Sequence, residues 1–138
     1  VAKMVFEGSD VTVVTWGSMR WICEQALASL QKNGLPETGQ KPSVELIDLR
    51  TISPWDSDMV ISSVKKTGRC LIVHEAPKTC GFGAEISATI MEKALYNLKS
   101  PVARVTGFDT PPPYLKTEHY YLPDEKRILD GLKQVMRG

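Results

Sequence analysis

At the centre of the chain stands the run Cys70-Leu71-Ile72-Val73-His74, in which four consecutive apolar residues precede a histidine. A continuous apolar run is typical of a strand whose two faces are both buried, as in a parallel sheet. The preceding residues, Lys65-Lys66-Thr67-Gly68, supply the basic side chains and the glycine that commonly end a helix. The centre of the chain is therefore predicted to be an inner strand that follows a helix.

Strand and helix patterns alternate on both sides of this run. Further β-prone runs occupy Val11–Thr15, Val44–Leu49 and Val102–Thr106, and apolar residues with helical spacing lie between them. The alternation predicts an α/β fold of parallel βαβ units, with helices on both faces of the sheet. The predicted helices extend over residues 19–33, 56–67, 83–98 and 124–136, and in the third of them Ile86, Ile90, Met91, Ala94, Leu95 and Leu98 are expected to face inward.

The first residues predict a different kind of connection. Lys3–Phe6 and Val11–Thr15 flank Glu7-Gly8-Ser9-Asp10, and a four-residue segment with a glycine between two β-prone runs is a hairpin signal. The first two strands are therefore expected to pair with each other in antiparallel fashion.

Length and composition are those of one ordinary domain, which we expect to extend over residues 1–138. Apolar residues make up 42% of the chain and charged residues 24%. The formal net charge of +1 produces no long-range field typical of a nucleic-acid or membrane binder, and no apolar run approaches the roughly 18 residues that span a bilayer. No nucleic-acid or membrane partner is expected. Three cysteines without CxxC spacing and two histidines argue against a disulfide framework or a zinc site.

The loops that follow the strands are the expected place of function, since ligands of open α/β sheets bind at the carboxyl ends of the strands. These loops are Trp16-Gly17-Ser18, Arg50–Asp56, His74–Phe82 and Gly107–Tyr114. The segment Phe108–Tyr114 contains three consecutive prolines, which suit either a rigid arm that docks on a neighbour or a stiff surface connector.

The loop after the central strand permits several interpretations. Gly81 and Gly83 open a helix as in a dinucleotide fingerprint, but Ile86 stands at the third glycine position, which favours tight loop-to-helix packing instead. His74 beside Glu75 is either a general acid–base pair or a structural or interface histidine, and the second interpretation is favoured because no substrate pocket is evident.

Eight motifs follow one another through nearly the whole chain: Glu7–Thr12, Trp16-Gly17, Ile47–Thr51, Pro54-Trp55-Asp56, Lys66–Arg69, His74–Pro77, Gly81–Ile86 and Arg104–Pro111. Together they resemble the C-terminal domain of the beta subunit of 2-oxo acid dehydrogenases, which is related to the C-terminal domain of transketolase. Pro54-Trp55-Asp56 and His74-Glu75-Ala76-Pro77 are similar to the branched-chain members of that family.

The resemblance implies a three-layer α/β/α sandwich around a mixed five-stranded sheet, mostly parallel with one antiparallel strand. It implies a fragment of a longer subunit that works in an α2β2 heterotetramer, decarboxylating branched-chain 2-oxo acids such as 3-methyl-2-oxobutanoate and acylating lipoyl-lysine. Thiamine diphosphate and Mg²⁺ would bind where alpha and beta subunits meet. The activating glutamate belongs to the other domain of the beta subunit, so no catalytic, cofactor or metal residue is expected in this chain.

The expected role of this domain is assembly. Its partners would be the alpha subunit, a second beta subunit and the dihydrolipoyl acyltransferase core, in the mitochondrial matrix of a eukaryote or the cytoplasm of a bacterium. Lys99 stands where many relatives have an acidic residue, which bears on partner binding. The interface candidates are His74, Glu75, Pro77, Phe82, Lys99, Phe108, Asp109, Pro111, Pro113 and Tyr114.

Two alternatives remain open at this point. The same domain also occurs in pyruvate dehydrogenases and transketolase-like enzymes, which differ in substrate. The other alternative belongs to a different class, a free-standing nucleotide-binding α/β module, and it depends on the glycines that precede the third helix.

Overall fold

The computed structural model describes residues 2–17, 19–50, 55–77, 82–107 and 125–137. Within these ranges the chain forms five strands and four helices, and strands and helices alternate after the first strand, as predicted. The strands are β1 (Lys3–Phe6), β2 (Val11–Thr15), β3 (Val44–Asp48), β4 (Cys70–Pro77) and β5 (Ala103–Gly107). The helices are α1 (Met19–Asn33), α2 (Ser57–Thr67), α3 (Phe82–Ala94), which continues into a 3-10 turn over Leu95–Asn97, and α4 (Glu125–Met136).

The strands form one sheet in the order β1-β3-β2-β4-β5. Strands β3, β2, β4 and β5 are parallel, and β1 pairs with β3 in antiparallel fashion. The predicted mixed five-stranded sheet with one antiparallel strand is thus confirmed. The carboxyl ends of the four parallel strands lie at one edge of the sheet, called here the carboxyl edge, and their first residues lie at the opposite, amino edge.

The predicted hairpin is wrong, because β3 lies between β1 and β2. The segment between these two strands hydrogen-bonds to the start of β3 instead of closing a turn on itself. Gly8 donates its backbone N–H to Glu45 Oε1 at 3.1 Å, and Asp10 Oδ2 accepts the N–H of Ser43 at 2.7 Å. Since these bonds hold the segment over β3, β1 reaches the outer side of that strand.

Successive residues of the inner strands point to opposite faces of the sheet, and each face packs against two helices. Helices α1 and α4 cover one face and α2 and α3 cover the other, which confirms the three-layer α/β/α sandwich. Val13, Leu46 and Leu71 contribute to the first core, and Val14, Ile47 and Ile72 to the second; all six are completely buried.

Helix α3 departs from its predicted inner face. Ile86, Ile90 and Ala94 face the core, whereas Met91 and Leu95 are 44% and 45% exposed. The helix has apolar residues on more than one side, so that spacing alone did not identify the buried side. Within the part of the chain that the structure describes, none of the helices combines the length and the apolar character that crossing a membrane requires.

Candidate functional site at the carboxyl edge

Four rings meet where β2 and β4 approach the carboxyl edge, and we call them the carboxyl-edge cluster: Trp16, Trp55, His74 and Phe82. Trp16 follows β2 directly, and its ring stacks on the imidazole of His74 with centroids 5.2 Å apart and planes 8° from parallel. Phe82 packs edge-on against both tryptophans, with centroids 5.8 Å away in each case. Stacked and edge-to-face pairs of this kind add about 0.5–1.5 kcal/mol each beyond burial.

The imidazole of His74 is completely buried within the cluster. Neither Nδ1 nor Nε2 has a hydrogen-bond partner among the described residues. Burial, and secondarily the positive charge of Arg104, lowers the pKa of His74 below its ordinary value. The ring is therefore held in its neutral form at neutral pH, because a buried cation without a partner is costly.

Gly83, in the first turn of α3, leaves the space that this ring occupies. A Cβ atom at Gly83 would lie 2.5 Å from Nε2 and 2.7 Å from Cδ2 of His74, closer than such atoms approach one another. Gly83 thus lets α3 lie directly against the imidazole. For this glycine the structure supports the tight-packing interpretation, whereas Gly81 lies outside the described residues.

A hydrogen-bonded pair at the carboxyl end of β3 was not predicted from the sequence. Arg20 Nη1 lies 3.4 Å from Asp48 Oδ2, and Arg20 Nε lies 3.3 Å from Glu24 Oε2. Asp48 Oδ1 also accepts the backbone N–H of Arg50 at 3.0 Å, and Arg50 has a left-handed φ of 63°. Asp48 therefore holds the backbone in a strained conformation where the chain leaves the strand. The signal available in the sequence was an aspartate at the end of an apolar strand.

The structure brings together only some of the predicted interface residues. His74 is buried inside the domain, where its ring packs within the cluster, and a contact between His74 and a partner stays a prediction. Phe82 is partly buried in the same cluster. Glu75 and Pro77 belong to β4, where Pro77 pairs in register with Gly107 of β5. The side chains of Glu75 and Pro77 are outside the described atoms.

The remaining candidates lie elsewhere. Lys99 is exposed before β5, and its backbone N–H donates to the carbonyl oxygen of Gly68 at 2.7 Å. This position belongs to the amino edge, so Lys99 is not part of the carboxyl-edge cluster. The candidates in the proline-rich segment, namely Phe108, Asp109, Pro111, Pro113 and Tyr114, lie outside the described residues.

The described side chains include no cluster of metal ligands, and two cysteines among them are buried. In ranges 2–17, 19–50, 55–77, 82–107 and 125–137, no three His, Cys, Asp or Glu residues come together as metal ligands. Burial raises the pKa of the Cys23 and Cys70 thiols to about 12 each, which keeps them protonated.

The chain is thus an α/β/α sandwich domain, and a cluster of aromatic rings lies at the carboxyl ends of its parallel strands. The sequence profile described as "Transketolase, C-terminal domain" matches residues 1–128, and the chain belongs to that family. A solved structure titled split gene transketolase, inactive beta4 tetramer, has a TM-score of 0.81 and 19% identity over 99% of this chain and 41% of its own. At that identity the likeness concerns the fold alone.

Several curated proteins are more similar in sequence. The 2-oxoisovalerate dehydrogenase subunit beta 2, mitochondrial, of Arabidopsis thaliana is 48% identical over 135 residues, which are 98% of this chain and 36% of the relative. The 3-methyl-2-oxobutanoate dehydrogenase subunit beta of Mycobacterium tuberculosis is 40% identical over 94% of this chain and 36% of its own length. The pyruvate dehydrogenase E1 component subunit beta of Acholeplasma laidlawii is 40% identical over 99% of this chain and 40% of its own. The chain thus spans less than half of each.

Proposed function

We propose that this chain is the C-terminal domain of the beta subunit of a thiamine-dependent branched-chain 2-oxo acid dehydrogenase. The observation that carries the proposal is the identity of 48% and 46%, along 98% of the chain, to two beta subunits named 2-oxoisovalerate dehydrogenase. The complete enzyme would decarboxylate 3-methyl-2-oxobutanoate and its homologues and acylate lipoyl-lysine on the dihydrolipoyl acyltransferase. Thiamine diphosphate and Mg²⁺ would be held outside this domain, where the alpha and beta subunits meet.

The contribution of this domain would be assembly of an α2β2 heterotetramer. The carboxyl-edge cluster supports this role, because Trp16 stacks on the buried His74 ring and Phe82 packs against both tryptophans, which fixes the ends of β2 and β4 and the start of α3. Loops on such a rigid platform meet a partner with little loss of conformational entropy. In a eukaryote the assembly would be in the mitochondrial matrix, in line with the word mitochondrial in the names of the Arabidopsis and Dictyostelium relatives, and in a bacterium it would be in the cytoplasm.

The substrate is tested on the complete beta subunit that contains this chain, co-expressed with its alpha subunit. The ratio of kcat/KM for 3-methyl-2-oxobutanoate to that for pyruvate is measured with lipoyl acceptor and thiamine diphosphate in excess. Because each additional methylene that fits an apolar pocket is worth about 10- to 200-fold, we expect the branched substrate to be preferred by at least about tenfold. A preference for pyruvate would overturn the branched-chain assignment.

A second candidate is the same domain of a pyruvate dehydrogenase. The observation that favours it is the 40% identity to the Acholeplasma subunit, equal to the identity to the M. tuberculosis branched-chain subunit. A free-standing nucleotide-binding module is less favoured, because Gly83 is in contact with His74 instead of leaving an open phosphate site at the start of α3. Titration with NAD, FMN and ATP separates this last alternative from the other two.

A further inference from the structure

A half-open cavity of about 270 Å³ lies at the amino edge, between α1, the end of β1 and the start of β3. Its floor consists of buried aliphatic side chains, Leu27, Leu30 and Val44, which are 7%, 1% and 9% exposed. Phe6 stands on the rim and is 45% exposed although it is a large apolar residue. A cavity of roughly 150 Å³ lined by aliphatic side chains already takes up benzene, so this one has room for a leucine or phenylalanine side chain.

The charged residues among those that line the cavity are both acidic, Glu7 and Glu24. Glu7 is exposed, and the side chain of Glu24 remains 35% exposed while it pairs with Arg20 at 3.3 Å. One turn before Glu24, on the same face of α1, Trp21 is 66% exposed and offers its ring to a cation. An apolar floor with carboxylates on its rim is complementary to a ligand that is apolar at its centre and positive at its ends.

We propose that this cavity binds a segment of a partner protein that presents an aliphatic or aromatic side chain flanked by lysine or arginine. The apolar side chain fills the space above Leu27 and Val44, and the cations approach Glu7 and Glu24. Burial of the apolar side chain provides most of the affinity, and the exposed charges provide selectivity and salt dependence. The site lies at the opposite edge of the sheet from the carboxyl-edge cluster, so it does not depend on the proposed function.

The test uses two peptides with the same apolar centre, acetyl-Lys-Leu-Phe-Lys-amide and acetyl-Glu-Leu-Phe-Glu-amide, titrated into the ¹⁵N-labelled 138-residue chain. We expect the lysine peptide to shift the amide signals of Phe6, Ala28 and Val44 and to bind at least about fivefold more tightly than the glutamate peptide at low salt. The double variant Glu7→Gln/Glu24→Gln should abolish that difference. Glu92→Gln, which neutralises an exposed carboxylate on α3, is the matched control and should preserve it.

A further variant, Ala28→Arg, adds a bulky cation to the exposed rim and should prevent binding of the lysine peptide. Equal affinities of the two peptides in the parent chain would overturn the proposal, as would binding that is unchanged in Ala28→Arg. A dimer of the parent chain in sedimentation velocity that Ala28→Arg dissociates would show that a second copy occupies the cavity, and would likewise overturn it.

Discussion

Substitution of Gly83 by alanine places a methyl group against the one polar side chain of the carboxyl-edge cluster. The new Cβ would lie 2.5 Å from Nε2 and 2.7 Å from Cδ2 of His74, and 3.2 Å from Cγ2 of Ile72. Carbon atoms in contact are normally about 3.5–4.0 Å apart, so the imidazole or the helix must move by about 1 Å. The ring has little freedom to do so because it is fully buried and stacks on Trp16.

The magnitude follows from two opposing contributions. Insertion of a methyl group into a packed interior costs about 1–3 kcal/mol, whereas alanine in place of glycine within a helix contributes up to about 1 kcal/mol in the favourable direction. After subtraction of the helix gain, the free energy of unfolding should therefore fall by up to about 2 kcal/mol. Urea denaturation monitored by tryptophan fluorescence measures this change directly, since Trp16 belongs to the cluster.

A double-mutant cycle attributes the loss to the contact with His74. In a His74→Ala background the methyl group keeps its contact with Ile72 Cγ2 at 3.2 Å but no longer meets a ring, so Gly83→Ala should cost much less there. Gly131→Ala in α4 is the control, because its Cβ would meet only the ends of aliphatic side chains at 2.9 Å, and it should cost less. Equal losses for Gly83→Ala with and without His74 would refute this account of the packing.

Three further predictions concern charge and hydrogen bonding. Because burial lowers the pKa of His74 in the folded state below about 6.5, the unfolded chain takes up the proton first, and stability should decline as pH falls below about 6.5, by at most about 1.4 kcal/mol per pH unit. Urea midpoints between pH 5 and 8 measure this slope, which His74→Phe should remove. Thr12→Val deletes the hydroxyl that lies 2.7 Å from Ser63 Oγ in a buried network and should cost about 1–3 kcal/mol in the same assay. If the acyltransferase docks near Lys99 through basic side chains, Lys99→Glu in the complete subunit should raise the on-rate at low salt by a few-fold, corresponding to about 1 kcal/mol, whereas Lys3→Glu at the opposite edge should not.

Each of these predictions has an outcome that contradicts it. A pH slope that persists in His74→Phe would assign the proton uptake to another group. A loss for Thr12→Val no larger than that for Thr89→Val, whose hydroxyl bonds on the exposed side of α3, would mean that the buried network contributes nothing. Identical on-rates for Lys99→Glu and the parent subunit at every salt concentration would place the docking surface elsewhere.

The sequence predicted where strands and helices lie along the chain more readily than which strands lie side by side in the sheet. Cys70–Val73 was recognisable as an inner strand because a strand buried on both faces is apolar throughout. Helix α2 ends at Thr67 and is capped by Gly68, as predicted, because the helix stop is a local signal. The position of β1 was not recognisable in this way. It depends on hydrogen bonds from Gly8 and Asp10 to residues more than 30 positions later, which no local pattern contains.

The candidate site was predicted in location but not in detail. Parallel strands end at the same edge of a sheet, so the predicted parallel pairing of β2 and β4 placed Trp16 and His74 at one edge. The burial of His74 did not follow, because it results from Gly83 and Trp16, which belong to different elements. Sequence spacing does not report which distant residues enclose a side chain.

Hydrogen–deuterium exchange tests the assembly role most directly. The complete beta subunit is compared alone and after assembly with its alpha subunit and a second beta subunit, with peptides from the ends of β2 and β4 and the start of α3 monitored. We expect exchange at this carboxyl edge to slow on assembly, while exchange at the end of α2, which lies at the amino edge next to Gly68, stays the same. Unchanged exchange at the carboxyl edge, or protection produced there by thiamine diphosphate and Mg²⁺ without the alpha subunit, would contradict it.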